Sequence, residues 1–448
     1  MIALLCALFA QIPTPSPPAR PPSLTPQVAE ADAGVQAGGE SSPPPRPSPR
    51  QGLSPQRLQK IQAALQRQKL DGWLFFDFRK SDEIAYRVLG LDQSGVRSRR
   101  WYCLLPARGE PKKLLHAIEP EALDGVPGAS ATYASWRVRD RELGAMLRGL
   151  KRVAMEYSPR NEIPTLGRVD GGTVELVHSM GPEVVSSADL VAEIVSPLSP
   201  EELASQAIAA DLLAADQEAV AQEAARRVRE GNPATERELQ DFARARWAQE
   251  GISSEGFPLV AVDAHAADPH YLPPAQGSAV AGRGSVLLLD FAASMGPGTI
   301  PGDVTRVYFL GEKVPDEVAR IAAIVFQARD AALQLVRQRA EAGNLPTGAE
   351  VDTAARGVIA KAGYGDRFIH RTGHNIGLRT HGDGVNNDDF ETHDVRRHLP
   401  DTCFSIEPGI YLPGRFGIRS EIDVCLPGGK VEVHGGAGQN TIPALLGQ

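Results

Sequence analysis

At 448 residues the chain is long enough for two domains and a tail, and its 42% hydrophobic and 23% charged residues match an ordinary globular protein. A formal net charge of −8, with no basic stripe interleaved with aromatics, argues against a nucleic-acid partner. The four cysteines (Cys6, Cys103, Cys403 and Cys425) show no CxxC spacing and are too few for a disulfide framework.

Residues 1–10 are continuously apolar, yet ten residues are too short to span a bilayer as a helix. Thirteen of the 36 prolines fall within the first 55 residues. The stretch 1–54 therefore reads as a signal-like start followed by a Pro-rich linker outside the fold. Export to the periplasm is the expectation, with a cytoplasmic location the alternative, because the usual basic n-region is missing.

From about Leu58 the pattern becomes globular. A helix over 56–69 precedes an apolar strand at Gly72–Phe76, with further strands expected at 101–106, 153–156 and 174–177. Residues 55–197 read as an amino-terminal α/β domain with no phosphate loop and no nucleophile elbow. Ser199-Pro200-Glu201-Glu202 then supplies an N-cap, a first-turn proline and a Glu three residues after the cap. That helix runs to about Glu230, where Gly231-Asn232-Pro233 stops it, and Thr235-Glu236-Arg237-Glu238 repeats the cap for a helix ending near Gly251. Strands follow at 258–263, 286–290 and 304–309, and helices at 316–341 and 349–362. Helices with antiparallel hairpins make 198–448 an α+β catalytic half.

Val286-Leu287-Leu288-Leu289-Asp290 is an apolar strand ending in an acid, and Asp303 opens the next strand thirteen residues on. The intervening glycines and prolines allow a reversal that sets the two aspartates side by side. Three of the ten histidines (His370, His374 and His381) fall within twelve glycine-rich residues, and His393, His398 and His434 read as ordinary histidines. Farther on, Cys403–Glu407 and Gly417–Asp423 flank a Pro/Gly turn. Their hairpin brings Glu407 and Glu421 onto one face, which Arg419 and Asp423 share by strand alternation. Carboxylates held this close repel unless a proton or cation lies between them. Four carboxylates and an imidazole suit a pair of divalent ions, manganese first and cobalt or zinc as alternatives, which at about 3.5–4 Å apart can activate one water. Cys403 and Cys425 could meet across the hairpin, but two buried free thiols are the expected state.

The order Asp, Asp, His, Glu, Glu, with Asp268-Pro269-His270-Tyr271, the His370-x3-His374-x6-His381 run, Ser405–Tyr411 and Gly417–Glu421, resembles the pita-bread metallopeptidases. Within them it is similar to the Xaa-Pro group, aminopeptidase P and prolidase, over roughly 55–448. The resemblance implies a pita-bread (creatinase/aminopeptidase) catalytic domain behind a smaller creatinase-like domain. It implies that Asp290 and Asp303 hold one metal, that Asp303 and Glu421 bridge, and that His374 and Glu407 complete the second. Glu407 would handle the proton of the attacking water. His270 and His381 would contact substrate and steady the tetrahedral intermediate, His370 would line the pocket, and Arg419 would serve the substrate-side network. For Arg419 the residues alone also allow an internal ion pair that offsets excess carboxylate.

The implied substrate is a peptide with proline second, the implied reaction is release of its N-terminal residue, and the implied assembly is a dimer. A prolidase acting on Xaa-Pro dipeptides is the alternative, and a metal-free peptide- or protein-binding module is the alternative of another class. Creatine hydrolysis is disfavoured by the intact ligand set, and methionine aminopeptidases usually lack the amino-terminal domain. The residues depart from the family pattern at Phe291-Ala292, at His265, at Ser420 and in an Asp290–Asp303 spacing about two residues longer. These departures bear on substrate preference through the pocket rim.

Overall fold

Ser54 caps the first described helix by accepting a hydrogen bond from the Arg57 N–H at 3.2 Å, which starts α1 (Pro55–Arg67). The computed structural model describes residues 52–447, apart from 93, 95 and 253–257. Residues 1–51 of the expected leader and linker lie outside the described residues. No described helix is long and apolar enough to cross a membrane.

The amino-terminal sheet contains β1 (Gly72–Asp77), β2 (Trp101–Pro106), β3 (Lys112–His116), β4 (Ala129–Tyr133), β5 (Arg152–Met155) and β6 (Glu183–Ser186) in the order β4-β3-β2-β1-β5-β6. Only β2 runs against its neighbours. β1 is buried on both faces, which explains its unbroken apolar run. Trp73 and Phe75 join the core with α1, α2 (Glu83–Leu89) and α5 (Ala188–Ile194), while Leu74 and Phe76 pack toward α3 (Trp136–Leu147) and α4 (Gly171–Ser179). The strand expected at 174–177 is in fact within α4. Asp170 caps it, accepting from the Thr173 N–H at 3.0 Å and hydroxyl at 2.7 Å, and Thr173 and Val177 are buried one helical turn apart. The strand comes later, as β6.

Both expected capping boxes form, at the starts of α6 (Pro200–Arg229) and α7 (Glu236–Glu250). The central strands are β7 (Leu259–Val262), β8 (Val286–Ala293) and β9 (Gly302–Phe309), paired antiparallel. Alternation along β8 sends Leu287 and Leu289 into a core shared with α6 and α7. Val286 and Leu288 go to the core of α8 (Asp316–Glu341) and α9 (Gly348–Lys361). Helix pairs thus cover both faces of the strands. Gly302 permits the tightest of these contacts, since a Cβ there would lie 2.4 Å from the Ala210 backbone nitrogen of α6.

The last strands are β10 (Asn375–Ile376), β11 (Cys403–Ile406), β12 (Gly409–Leu412), β13 (Phe416–Arg419), β14 (Ile422–Cys425) and β15 (Glu432–His434). β12 and β13 form the expected hairpin around Pro413-Gly414, and β11 pairs with β14 in the same continuous register. One expectation here is overturned. Cys403 and Cys425 are direct cross-strand partners and form a disulfide instead of two thiols. Facing positions on β11 and β14 hold the sulfurs together whatever the apolar surroundings.

Candidate metal centre

Asp290 pairs with Thr305 and Ala292 with Asp303, so the two aspartates share a face but sit diagonally, one step out of direct opposition. Ala292, opposite Asp303, also lines the cavity. The backbone of Asp303 is held from behind: its N–H donates to Asp423 Oδ2 at 2.9 Å, and the same oxygen accepts from Gln206 Nε2 at 2.6 Å.

The hairpin register places Glu407 opposite Glu421, at the break between the β11–β14 and β12–β13 pairings. The Glu407 N–H donates to the Thr372 carbonyl at 2.7 Å, tying the histidine segment to the hairpin. Gly373 makes that approach possible, because a Cβ there would meet the Ser405 carbonyl oxygen at 2.0 Å. His374 is thereby driven into the carboxylates. Its Nε2 lies 3.3 Å from Asp303 Oδ2 and 3.3 Å from Glu407 Oε1.

Donor atoms of Asp303, His374 and Glu421 all lie within 4.8 Å of one another, and all three residues are buried. The electrostatics fit a cation. Burial pushes Asp303, Glu407 and Glu421 upward, and their carboxylate neighbours push them further. Burial also lowers His374, favouring neutral imidazole. Its Nδ1 faces the Asn375 carbonyl at 3.3 Å, which leaves the Nε2 lone pair turned toward the acids. Lone pairs confronting lone pairs are what a divalent ion resolves.

Of the five expected ligands, three converge and Glu407 joins them through His374. The fifth, Asp290, has its Oδ2 paired with Arg419 Nη2. The buried Arg419 also donates to Thr305 Oγ1 at 3.2 Å and to the Tyr411 hydroxyl at 3.1 Å. Arg419 thus forms the internal ion pair that its residue type allowed, while also lining the cavity. His370 lines the cavity and is held there on both sides. One ring nitrogen lies 2.7 Å from the Arg371 carbonyl, the other 2.7 Å from the Tyr411 hydroxyl, and burial pushes the ring down to about 3. It buttresses the wall through Tyr411 and has no polar atom to spare.

Asp290, Asp303, His370, His374, Glu407, Arg419 and Glu421 line one cavity of about 1150 Å³, together with His270 and His381. His270 is exposed at its mouth, and the His381 ring lies 4.2 Å from that of His374. The long Asp290–Asp303 connection supplies Ser294, Gly296, Pro297, Gly298, Thr299 and Pro301 to the rim. Two other departures have partners: His265 stacks on Tyr271 with both bonded to Glu236, and Ser420 accepts from Arg329 at 2.8 Å.

Residues unforeseen from the sequence complete the site. Thr305 donates to Glu421 Oε2 at 2.7 Å, and Ser405 donates to Glu407 Oε1 at 3.1 Å while accepting the His374 N–H. Strand alternation was the signal for Thr305, two residues from Asp303, and for Ser405, two from Glu407.

Residues 212–426 match the model of metallopeptidase family M24. That segment belongs to family M24. A Mycobacterium bovis protein named probable dipeptidase PepE is 37% identical over 189 residues, covering 41% of this chain and 46% of that protein. The Xaa-Pro dipeptidase of Lactobacillus helveticus is 34% identical over 176 residues, 39% of this chain and 43% of the relative. The chain thus spans less than half the length of these curated relatives. In fold the likeness is wider. The crystal structure of dipeptidase PepE from Mycobacterium ulcerans superposes with a TM-score of 0.65 at 24% identity, over 87% of this chain and 97% of that one. The chain has the pita-bread architecture expected from its sequence.

Proposed function

We propose that this M24 chain is a metal-dependent peptidase that hydrolyses the Xaa-Pro bond at the amino terminus of short peptides. The observation that carries the reading is the convergence of Asp303, His374 and Glu421 on the floor of an open cavity. Asp290 and Asp303 would hold one divalent ion, His374 and Glu407 would complete a second, and Glu421 would reach both. Manganese is the first expectation, with cobalt or zinc as alternatives. The ions would supply the positive charge that activates water and polarises the scissile carbonyl.

The protein's own part is positioning and proton handling. Glu407, tethered by Ser405, accepts the water's proton and returns one to the leaving imide nitrogen. His270 and His381 line the cavity and would supply donors to the developing oxyanion. Arg419 and Tyr411 keep Asp290 oriented.

A dipeptidase is the second reading, supported by the names of the relatives and by Arg371. Arg371 lines the cavity, and a substrate carboxylate would be a matched partner for its guanidinium. The experiment is to strip metal from the full chain, restore manganese, cobalt or zinc, and compare Xaa-Pro dipeptides with Xaa-Pro-Yaa peptides. Faster turnover of the longer peptides supports the first reading, and preference for dipeptides supports the second. Cleavage of neither with any metal sinks both.

The disulfide supports an oxidising compartment, and with it the export reading. N-terminal sequencing of the mature protein tests that. The dimer rests on the family resemblance and is tested by sedimentation.

A further inference from the structure

The segment 377–384 carries His381 on irregular, glycine-rich backbone, and among the described residues the His381 ring makes no hydrogen bond. Its backbone is pinned at one end, where the Gly382 N–H donates to the Asn375 carbonyl and the Gly384 N–H to Asn375 Oδ1, each at 2.8 Å. Arg396 donates to the carbonyls of Asp383 at 3.2 Å and Gly384 at 2.6 Å. The two charged side chains that flank His381 are held from elsewhere. Arg379 Nη1 lies 2.6 Å from Glu83 Oε2, and Asp383 pairs with Arg87.

Glu83 and Arg87 belong to α2 of the amino-terminal domain. They are four residues apart on one helix face, and Arg379 and Asp383 have the same separation with the charges reversed. α2 is itself firmly seated: Ile84, Ala85, Val88 and Leu89 lie in the amino-terminal core, and Asp82 caps its first turn at 3.0 Å. The Asp383 side chain is 3% exposed and that of Arg87 14%. Burying such a pair costs desolvation that its attraction barely offsets, so it is a poor device for stability and a good one for fixing register.

We propose that Glu83 and Arg87 are positioning residues for the active site, holding the His381 segment against the cavity through Arg379 and Asp383. The idea rests on the peptidase reading for its effect on rate, but not for its effect on His381 itself. Two readouts separate these. In the metal-loaded full chain, Arg87→Met should lower kcat/KM on Xaa-Pro peptides about tenfold to a hundredfold. Arg87→Lys should recover part of the loss. In a His381→Ala background the same Arg87→Met change should cost almost nothing, because the clamp would act through that ring. An equal loss in both backgrounds, or no loss, overturns the proposal.

In the metal-free chain, the His381 ring resonance, identified by its disappearance in His381→Ala, should shift or broaden in Arg87→Met. This readout needs no activity, so an inert wild type would refute the peptidase reading alone. An unmoved resonance would overturn the clamp alone. Should Arg87→Met fail to fold, Glu83→Gln at the more exposed pair carries the same expectations with a smaller effect.

Discussion

The molecule buries two clusters of carboxylates, and they are built for different ends. In the amino-terminal sheet, Asp77, Asp82 and Glu156 are all fully buried. Their oxygens serve local structure: Asp82 caps α2, Asp77 accepts from the N–H groups of Lys80 and Asp82 at 3.1 Å, and Glu156 accepts from the Trp73 indole at 2.6 Å. Asp82 is raised to about 7, chiefly by burial, which suits an acid that keeps its proton. In the carboxyl-terminal half, Asp303, Glu407 and Glu421 are raised by the same burial, but an imidazole lone pair stands among them and a large cavity opens above. A buried acid cluster is therefore not a metal site by itself. The histidine and the open approach are what mark the second cluster as the candidate.

The largest expected effect that would break this contrast is on turnover. Glu407→Ala should lower kcat by about a thousandfold or more, as expected for loss of a ligand that also moves the proton. Full activity would reduce the second cluster to the rank of the first. Next comes metal linkage. Adding manganese to the chelated chain should stabilise it by about 3–4 kcal/mol at 100–1,000 times the dissociation constant, read as a rise in Tm. The rise should be larger at pH 8 than at pH 5. Carboxylates raised in the folded state favour folding while protonated, so the metal-free protein loses that contribution as pH rises through their folded values, and a cation replaces the proton.

A smaller effect concerns the clasp behind the hairpin. Reducing the Cys403–Cys425 disulfide, which closes a separation of 22 residues, should cost about 3 kcal/mol and lower Tm. An unchanged Tm under reductant would contradict a structural role. The smallest lies in the first cluster. Asp82 at about 7, against 3.8 unfolded, contributes stability that is complete below about pH 4 and is lost as pH rises through about 7. Asp82→Asn keeps the cap and stays neutral, so it should flatten that part of the Tm–pH curve, with or without metal. Asp82 and Glu156 interact, so the slope belongs to the pair.

Much of the second cluster was legible because its chemistry follows short-range rules. Strand alternation put Glu421 and Arg419 on one face, the Pro/Gly turn fixed the hairpin, and caps marked α6 and α7. The first cluster left no such trace. Asp77, Asp82 and Glu156 come together only when β1, α2 and the end of β5 pack, and no local pattern encodes that meeting. The same limit hides the partners of Arg419 and His370, Asp290 and Tyr411, which lie 129 and 41 residues away. At α4 the segment Val174–Val177 fits a strand as well as a helix because four residues cannot separate a period of two from one of 3.6, and the Asp170 cap is the feature that decides for the helix. For the cysteines, thiol against disulfide turned on register, which the hairpin already contained.

The most direct measurement is anomalous diffraction from crystals of the chain soaked in manganese. The account predicts two peaks among Asp290, Asp303, His374, Glu407 and Glu421, and none beside Asp77, Asp82 and Glu156. An empty carboxyl-terminal cluster under saturating manganese, or a peak at the amino-terminal one, would contradict it.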